Sequence, residues 1–201
     1  MNRTRTALLT AVSLLAIGGI GGCTANPVET SPSTQSTADT STAPADSLLA
    51  AHGLSGKSPE EVVEAMDRDP AARPLPLMAS VRYDEVLLDD GTTQASLPLD
   101  GDNFYLSIAP YEDSTHDCYF HSLGTCQGEL ASTDVHVTIT SDEGETLVDE
   151  DATTYANGFV AFWIPKDIQG TVTITKDGKS GEVPFSSDEE GATCVTTLQL
   201  S

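Results

Sequence analysis

The chain has 201 residues, and its 31 acidic side chains against nine basic ones give a formal net charge of −22. Charge of that size and sign repels phosphate backbones and anionic headgroups, which excludes nucleic acid as a partner. The length leaves room for one folded domain once the ends are set aside.

Residues 1–22 carry Arg3 and Arg5 and then an apolar stretch from Ala7 to Ile20. A basic start with a short apolar core is the form of a secretory signal, and the core is too short for an ordinary spanning helix. It ends in Ile20-Gly21-Gly22-Cys23, which resembles the lipobox of bacterial lipoproteins. That resemblance implies cleavage before Cys23 and a lipid on its sulfur, hence an extracytoplasmic protein anchored to the bacterial cell membrane. Loss of the leader leaves seven bases against all 31 acids, a net charge of −24.

Residues 23–45 are mostly Ser, Thr, Pro and Ala, with only Glu29 and Asp39 charged and no aromatic residue. Such a segment buries too little apolar surface to offset the entropy of ordering, so it reads as a flexible tether. Random-coil scaling gives it a reach of roughly 25 Å.

Residues 46–74 read as helical. Asp46 to Ala51 form a short helix stopped at Gly53, where a left-handed residue costs little. Ser58-Pro59-Glu60-Glu61 starts a second helix with a capping box, Val62, Val63 and Met66 share a face, and Pro70 closes the segment. These helices are free to pack on the following sheet or on a second subunit, as in a homodimer.

From Leu75 to Ser201 the pattern changes to period two. Strands are predicted at Met78–Val86, Asn103–Ile108, Asp134–Thr140, Gly158–Ile164, Gly170–Thr175 and Cys194–Leu200. Turn signals separate them at Asp89-Asp90-Gly91, Asp142-Glu143-Gly144, Ala156-Asn157-Gly158 and Lys176-Asp177-Gly178. Phe159–Ile164 is apolar on both faces and is predicted to be central. The whole reads as mostly β, an antiparallel β-sandwich over residues 75–201 with a short N-terminal helical segment.

The alternation breaks between Pro110 and Leu130, where His116, Cys118, His121 and Cys126 fall within eleven residues; Cys194 opens the last strand. With Cys23 lipidated, three thiols remain. An odd number in an exported domain leaves one unpaired after any disulfide, and a metal centre supplies a reason for it. Thiolates select Cu(I), Zn(II) or iron–sulfur clusters. Three thiolates suit trigonal Cu(I), while adding His121 makes a tetrahedral zinc set. The seven residues between Cys118 and Cys126 exceed the spacing of structural zinc modules.

The segment His116-Asp117-Cys118-Tyr119-Phe120-His121-Ser122-Leu123-Gly124-Thr125-Cys126-Gln127-Gly128-Glu129, together with Thr193-Cys194-Val195-Thr196-Thr197-Leu198-Gln199-Leu200, resembles the CueP family of exported copper-binding proteins. The resemblance runs from about Leu48 to Ser201. It implies copper, as Cu(I), held on Cys118, Cys126 and Cys194 with His121 as a further candidate ligand. It also implies a part in copper resistance and supply of copper to an exported cuproenzyme such as a Cu,Zn superoxide dismutase. The better-known members of the family are soluble periplasmic proteins, whereas the Cys23 motif here predicts an anchor.

Such a protein works by binding and exchange and is not an enzyme, although thiolates also reduce Cu(II) while two of them form a disulfide. Cys118 and Cys126, close in sequence, are the natural pair for that. Plainer readings stand beside these. Cys118–Cys126 serves equally as a loop-closing disulfide, His121 as a buried structural histidine, and His116 as a solvated turn residue. His52 suits a helix C-terminus, His136 faces solvent, and Met66, Met78, Phe104, Tyr105 and Trp163 read as core. Glu129 is placed to support the metal site. Two other functions remain open: a thiol–disulfide oxidoreductase, against which stand the missing Cys-x-x-Cys and βαβ patterns, and a tethered interaction domain with a structural disulfide.

Overall fold

The computed structural model describes residues 43–201. The predicted leader, the lipidation site at Cys23 and nearly all of the tether lie outside the described residues. Helix α1 spans Ala43–Ala51 and buries Ala45, Leu48 and Leu49. It ends before Gly53, whose φ of +73° is the left-handed conformation predicted for it. Helix α2 spans Pro59–Asp67. Its capping box is formed: Glu61 N–H donates to Ser58 Oγ at 3.2 Å, and Ser58 N–H donates to the Glu61 carboxylate at 2.8 Å. At the other end the Arg73 guanidinium donates to the carbonyls of Met66, Asp67 and Asp69, satisfying groups the helix leaves open. No helix among the described residues is long and apolar enough to cross a membrane.

Ten strands follow: β1 Met78–Val81, β2 Glu85–Asp89, β3 Gln94–Pro98, β4 Asn103–Ile108, β5 Asp134–Ser141, β6 Thr146–Thr153, β7 Val160–Pro165, β8 Gln169–Lys176, β9 Lys179–Ser186 and β10 Cys194–Val195. They form three sheets, ordered β1-β2-β3, β10-β4-β7 and β6-β5-β8-β9. All pairings are antiparallel except β10 with β4.

The β4/β7 sheet is the middle layer because its strands are apolar on both faces. Phe104, Leu106, Ile108, Val160 and Ile164 pack against Val135, Val137, Ile139, Val172 and Ile174 of β5 and β8, which makes the sandwich. The opposite face turns Tyr105, Ala161 and Trp163 towards the two helices and the β1-β2-β3 sheet. The helical faces left open in the sequence to a second subunit are thus covered by the chain's own sheets. Each large side chain buried this way contributes about 1.5–3 kcal/mol.

The structure departs from the predicted strands in four respects. Met78–Val86 is two strands, because Arg82 N–H donates to Glu85 O and reverses the chain there. Strands β3, β6 and β9 were not predicted. Of Cys194–Leu200 only the first two residues form a strand. The apolar strand β7 is central as a layer but lies at the edge of its own sheet.

Candidate metal centre

Four pieces of chain meet at the cysteines. Strand β10 runs parallel to β4, with Cys194 opposite Ser107. The site loop crosses this end of the sheet: Tyr119 O accepts the Cys194 N–H at 3.1 Å. The loop then pairs with β1, Val81 N–H donating to His121 O at 2.9 Å and Leu123 N–H to Ala79 O at 2.8 Å. Residues 122–126 turn back on themselves, so that Cys126 N–H donates to Ser122 O at 2.9 Å and Ser122 N–H to Cys126 Sγ at 3.4 Å. Gly128 and Gly158 touch backbone to backbone; a Cβ on Gly158 would lie 2.5 Å from Gly128 O. That contact fastens the loop to the turn carrying Asn157 and Phe159.

Cys118, Cys126 and Cys194 come together. Cys118 and Cys194 form a disulfide, their Cα atoms 5.7 Å apart, and Cys126 is a free thiol with its Sγ 3.5 Å from that of Cys118. The sequence pointed to Cys118 with Cys126. The parallel β10–β4 pairing, which nothing local in the sequence announces, instead sets Cys194 against the loop. Cys126 is 9% exposed and Cys194 2%, while Cys118 is half-buried.

His121 is completely buried beside them. Its Nε2–H donates to Asp67 Oδ1 at 2.8 Å, its backbone N–H donates to Thr193 Oγ1 at 2.9 Å, and its ring packs on Phe159 at 4.5 Å between centroids. Its other nitrogen, Nδ1, has no hydrogen-bond partner. Asp67, at the end of α2, is also fully buried and accepts hydrogen bonds from Tyr105 Oη and Asn157 Nδ2, each at 2.7 Å. Burial would raise the Asp67 pKa, but the charge and hydrogen bond of His121, with those from Tyr105 and Asn157, hold it below the ordinary carboxylate value. Burial also opposes charge on His121; the Asp67 carboxylate outweighs it and, with Cys126, raises that pKa to about 9.

His116 is placed on the outer side. His116, Cys118 and Cys126 have ligand atoms all within 4.8 Å of one another, and so do His121, Cys126 and Cys194. The remaining candidates lie elsewhere. Glu129 does not reach the site: its carboxylate accepts the backbone N–H groups of Glu112, Asp113 and Ser114 and so holds the loop before His116. His136 lies on the outer face of β5, between Asp149 and Asp151.

The chain matches the family model described as periplasmic copper-binding protein CueP over residues 61–199. It belongs to the CueP family. It is also similar to the protein in a crystal structure of S.CueP, with 40% identity over 78% of this chain and 97% of that one and a TM-score of 0.76. No curated protein matches the chain.

The family is periplasmic and copper-binding, and the donors here fit its cargo. Thiolate sulfur and imidazole nitrogen are what copper selects, and a buried Nδ1 with no hydrogen-bond partner costs free energy, which an ion displacing the proton held there at neutral pH would relieve. Asp67 holds Nε2 as the donor nitrogen and so leaves Nδ1 as the one available to coordinate, the carboxylate–histidine arrangement common behind bound metals. Sequence reading missed Asp67, yet a signal was present. Asp67 follows Val63 by one helical turn, on the buried face of α2, where a carboxylate requires a partner.

Proposed function

We propose that this CueP family member is lipid-anchored through Cys23 outside the cytoplasmic membrane, binds Cu(I) on Cys118, Cys126 and Cys194 with His121 Nδ1 as a fourth donor, and sequesters it. Supply of that copper to an exported cuproenzyme, such as a Cu,Zn superoxide dismutase, completes the reading. The observation that carries it is the meeting of three cysteine sulfurs, 76 positions apart at the extremes, beside a buried imidazole nitrogen with no hydrogen-bond partner. The protein acts by holding and exchanging the ion and not by turnover.

The disulfide gives the oxidised form of the same site. Reduction of two Cu(II) to two Cu(I) takes two electrons from the Cys118 and Cys194 thiols, which lose two protons and join. Cys126 and His121 then remain as donors. The closeness of Cys126 Sγ to that disulfide, 3.5 Å from Cys118 Sγ, also favours a second reading as a thiol–disulfide oxidoreductase.

An anaerobic Cu(I) titration of the reduced, tether-free chain against a competing chromogenic chelator tests the main reading, run beside a Cys118/Cys126/Cys194→Ser triple variant. Tight binding of about one ion, lost in the variant, is the expected result. No competition by the reduced wild type overturns it; turnover of a model disulfide substrate by the same sample would then select the second reading.

A further inference from the structure

The five donors are not arranged as one shell. The three sulfurs lie together, Cys118 bonded to Cys194 and 3.5 Å from Cys126, but the two imidazoles meet different ones: His116 groups with Cys118 and Cys126 on the outside, and His121 with Cys126 and Cys194 inside. Each group offers two sulfurs and one nitrogen, so donor chemistry does not separate them. Surroundings do. The inner donors are 0%, 9% and 2% exposed, while His116 and Cys118 are both open to solvent in part. Both imidazoles lean on the buried ring of Phe159, His121 at 4.5 Å and His116 at 6.3 Å between centroids. The inner imidazole is fixed by Asp67, whereas His116 stands on a loop tied down beside it, by Glu129 and by the Thr115 hydroxyl on Thr196 O at 2.6 Å.

We propose that the centre is two copper positions in series: an outer, exchanging one on His116, Cys118 and Cys126, and an inner, holding one on His121, Cys126 and Cys194. This rests on the Cu(I) reading above and divides its donor set, with His116 added, into two trios between which the one ion moves. Cu(I) changes hands by associative exchange, in which an incoming donor bonds before an outgoing one leaves. An acceptor cannot bring a donor to an ion enclosed by His121 and Cys194. It can reach one that has moved outward, with Cys126 kept as a common ligand and His116 and Cys118 replacing the two inner donors. No electron is transferred in that step, and it needs both Cys118 and Cys194 as thiols. Low coordination numbers of d¹⁰ copper make a three-donor station sufficient at each stage.

The test uses the reduced, copper-loaded chain under anaerobic conditions and measures two quantities: the equilibrium affinity against a chromogenic chelator, and the stopped-flow rate at which that chelator removes copper. His116→Ala is expected to slow removal at least tenfold while changing affinity less than threefold. His121→Gln is expected to weaken affinity at least tenfold and to remove a nitrogen neighbour from the copper X-ray absorption spectrum, with removal no slower than in wild type. Thermal unfolding of the copper-free variants checks that each is folded, and His121→Asn replaces any His121→Gln that is not. If His116→Ala weakens affinity as much as the His121 variant, the donors form a single site and the proposal fails; an unchanged removal rate in His116→Ala sinks it as well. Failure of wild type to take Cu(I) at all is a separate outcome that overturns the copper reading itself.

Discussion

Two histidines in this molecule are bonded to aspartates, and they differ in almost everything else. His136, on the outer face of β5, is bracketed by Asp151 at Nδ1 and Asp149 at Nε2, both at 2.9 Å, with its side chain 42% exposed. His121 is enclosed, gives one nitrogen to Asp67 and keeps the other unpartnered beside the thiols. Contact with a carboxylate therefore marks neither residue as functional. What marks His121 is burial with one nitrogen left over, since water satisfies any spare capacity at the surface and nothing in the core does so without a ligand.

The sharpest way to break that contrast is to remove Asp67. Asp67→Ala leaves His121, Tyr105 and Asn157 without their shared acceptor in a closed interior. We expect a loss of about 3–5 kcal/mol, read from urea unfolding of the reduced, copper-free chain. Asp67→Asn keeps the shape and part of the bonding, so it should fold. If Asp67 orients the imidazole for copper, this variant weakens Cu(I) binding roughly 10–100-fold; unchanged affinity would mean that Asp67 serves the fold alone.

The next largest effect concerns the backbone that carries the site. Gly158 has a φ of +83°, and a Cβ there would meet Gly128 O at 2.5 Å and Gly128 C at 2.6 Å. Gly158→Ala is expected to cost about 2–4 kcal/mol through strain and displacement of the loop. The Cys118–Cys194 pairing, mapped by peptide fragmentation of the air-oxidised protein, should then become mixed. A variant as stable as wild type would show that the two backbones are free to separate.

The pH dependence separates the two histidines by environment. The folded-state pKa of His121 is raised from 6.5 to about 9, so the stability it contributes is fully present below about pH 6.5 and is lost as pH rises through 9. Asp67 is shifted down, so its contribution is present above its ordinary value of 3.8 and is lost as pH falls below that. Copper-free, reduced protein should therefore be most stable from this pair between roughly pH 4 and 6.5, losing roughly 1–3 kcal/mol by pH 9.5. Urea midpoints across that range measure it, and the slope should flatten in Asp67→Asn.

How far these features were legible in the sequence follows the same division between local and distant causes. Strands β5 and β8 were readable because Val135, Val137, Val172 and Ile174 alternate with polar residues over a single core. Strand β6, Thr-Leu-Val-Asp-Glu-Asp-Ala-Thr, was not, since an edge strand whose residues are mostly solvated has little apolar pattern to display. The break between β1 and β2 was hidden because Asp84 is the one turn-favouring residue in Arg82-Tyr83-Asp84, with no Gly, Pro or Asn beside it. At the centre, the three cysteines were visible by their odd number and spacing, and so was the motif around them. Their partners were not. Cys194 reaches Cys118 through a parallel pairing, and Asp67 meets His121 across 54 positions, so each depends on topology that no local window contains.

The smallest effect is expected at His136, and its smallness carries the comparison. Its pKa is raised by the hydrogen bond to Asp151, against a smaller cost of burial, and by Asp149, so at neutral pH it carries charge more readily than a free imidazole. That charge stands on an open sheet face, where solvent screens the attraction and the side chains give up entropy to meet. His136→Ala should leave the urea midpoint, the Cu(I) affinity and the rate of copper removal within error of wild type. The weakening with pH that marks the Asp67–His121 pair should persist in it unchanged. A loss of Cu(I) affinity in His136→Ala would require a second ion on the Asp149–His136–Asp151 face, and then burial could no longer be what separates the proposed copper-binding histidine from a merely salt-bridged one in this fold.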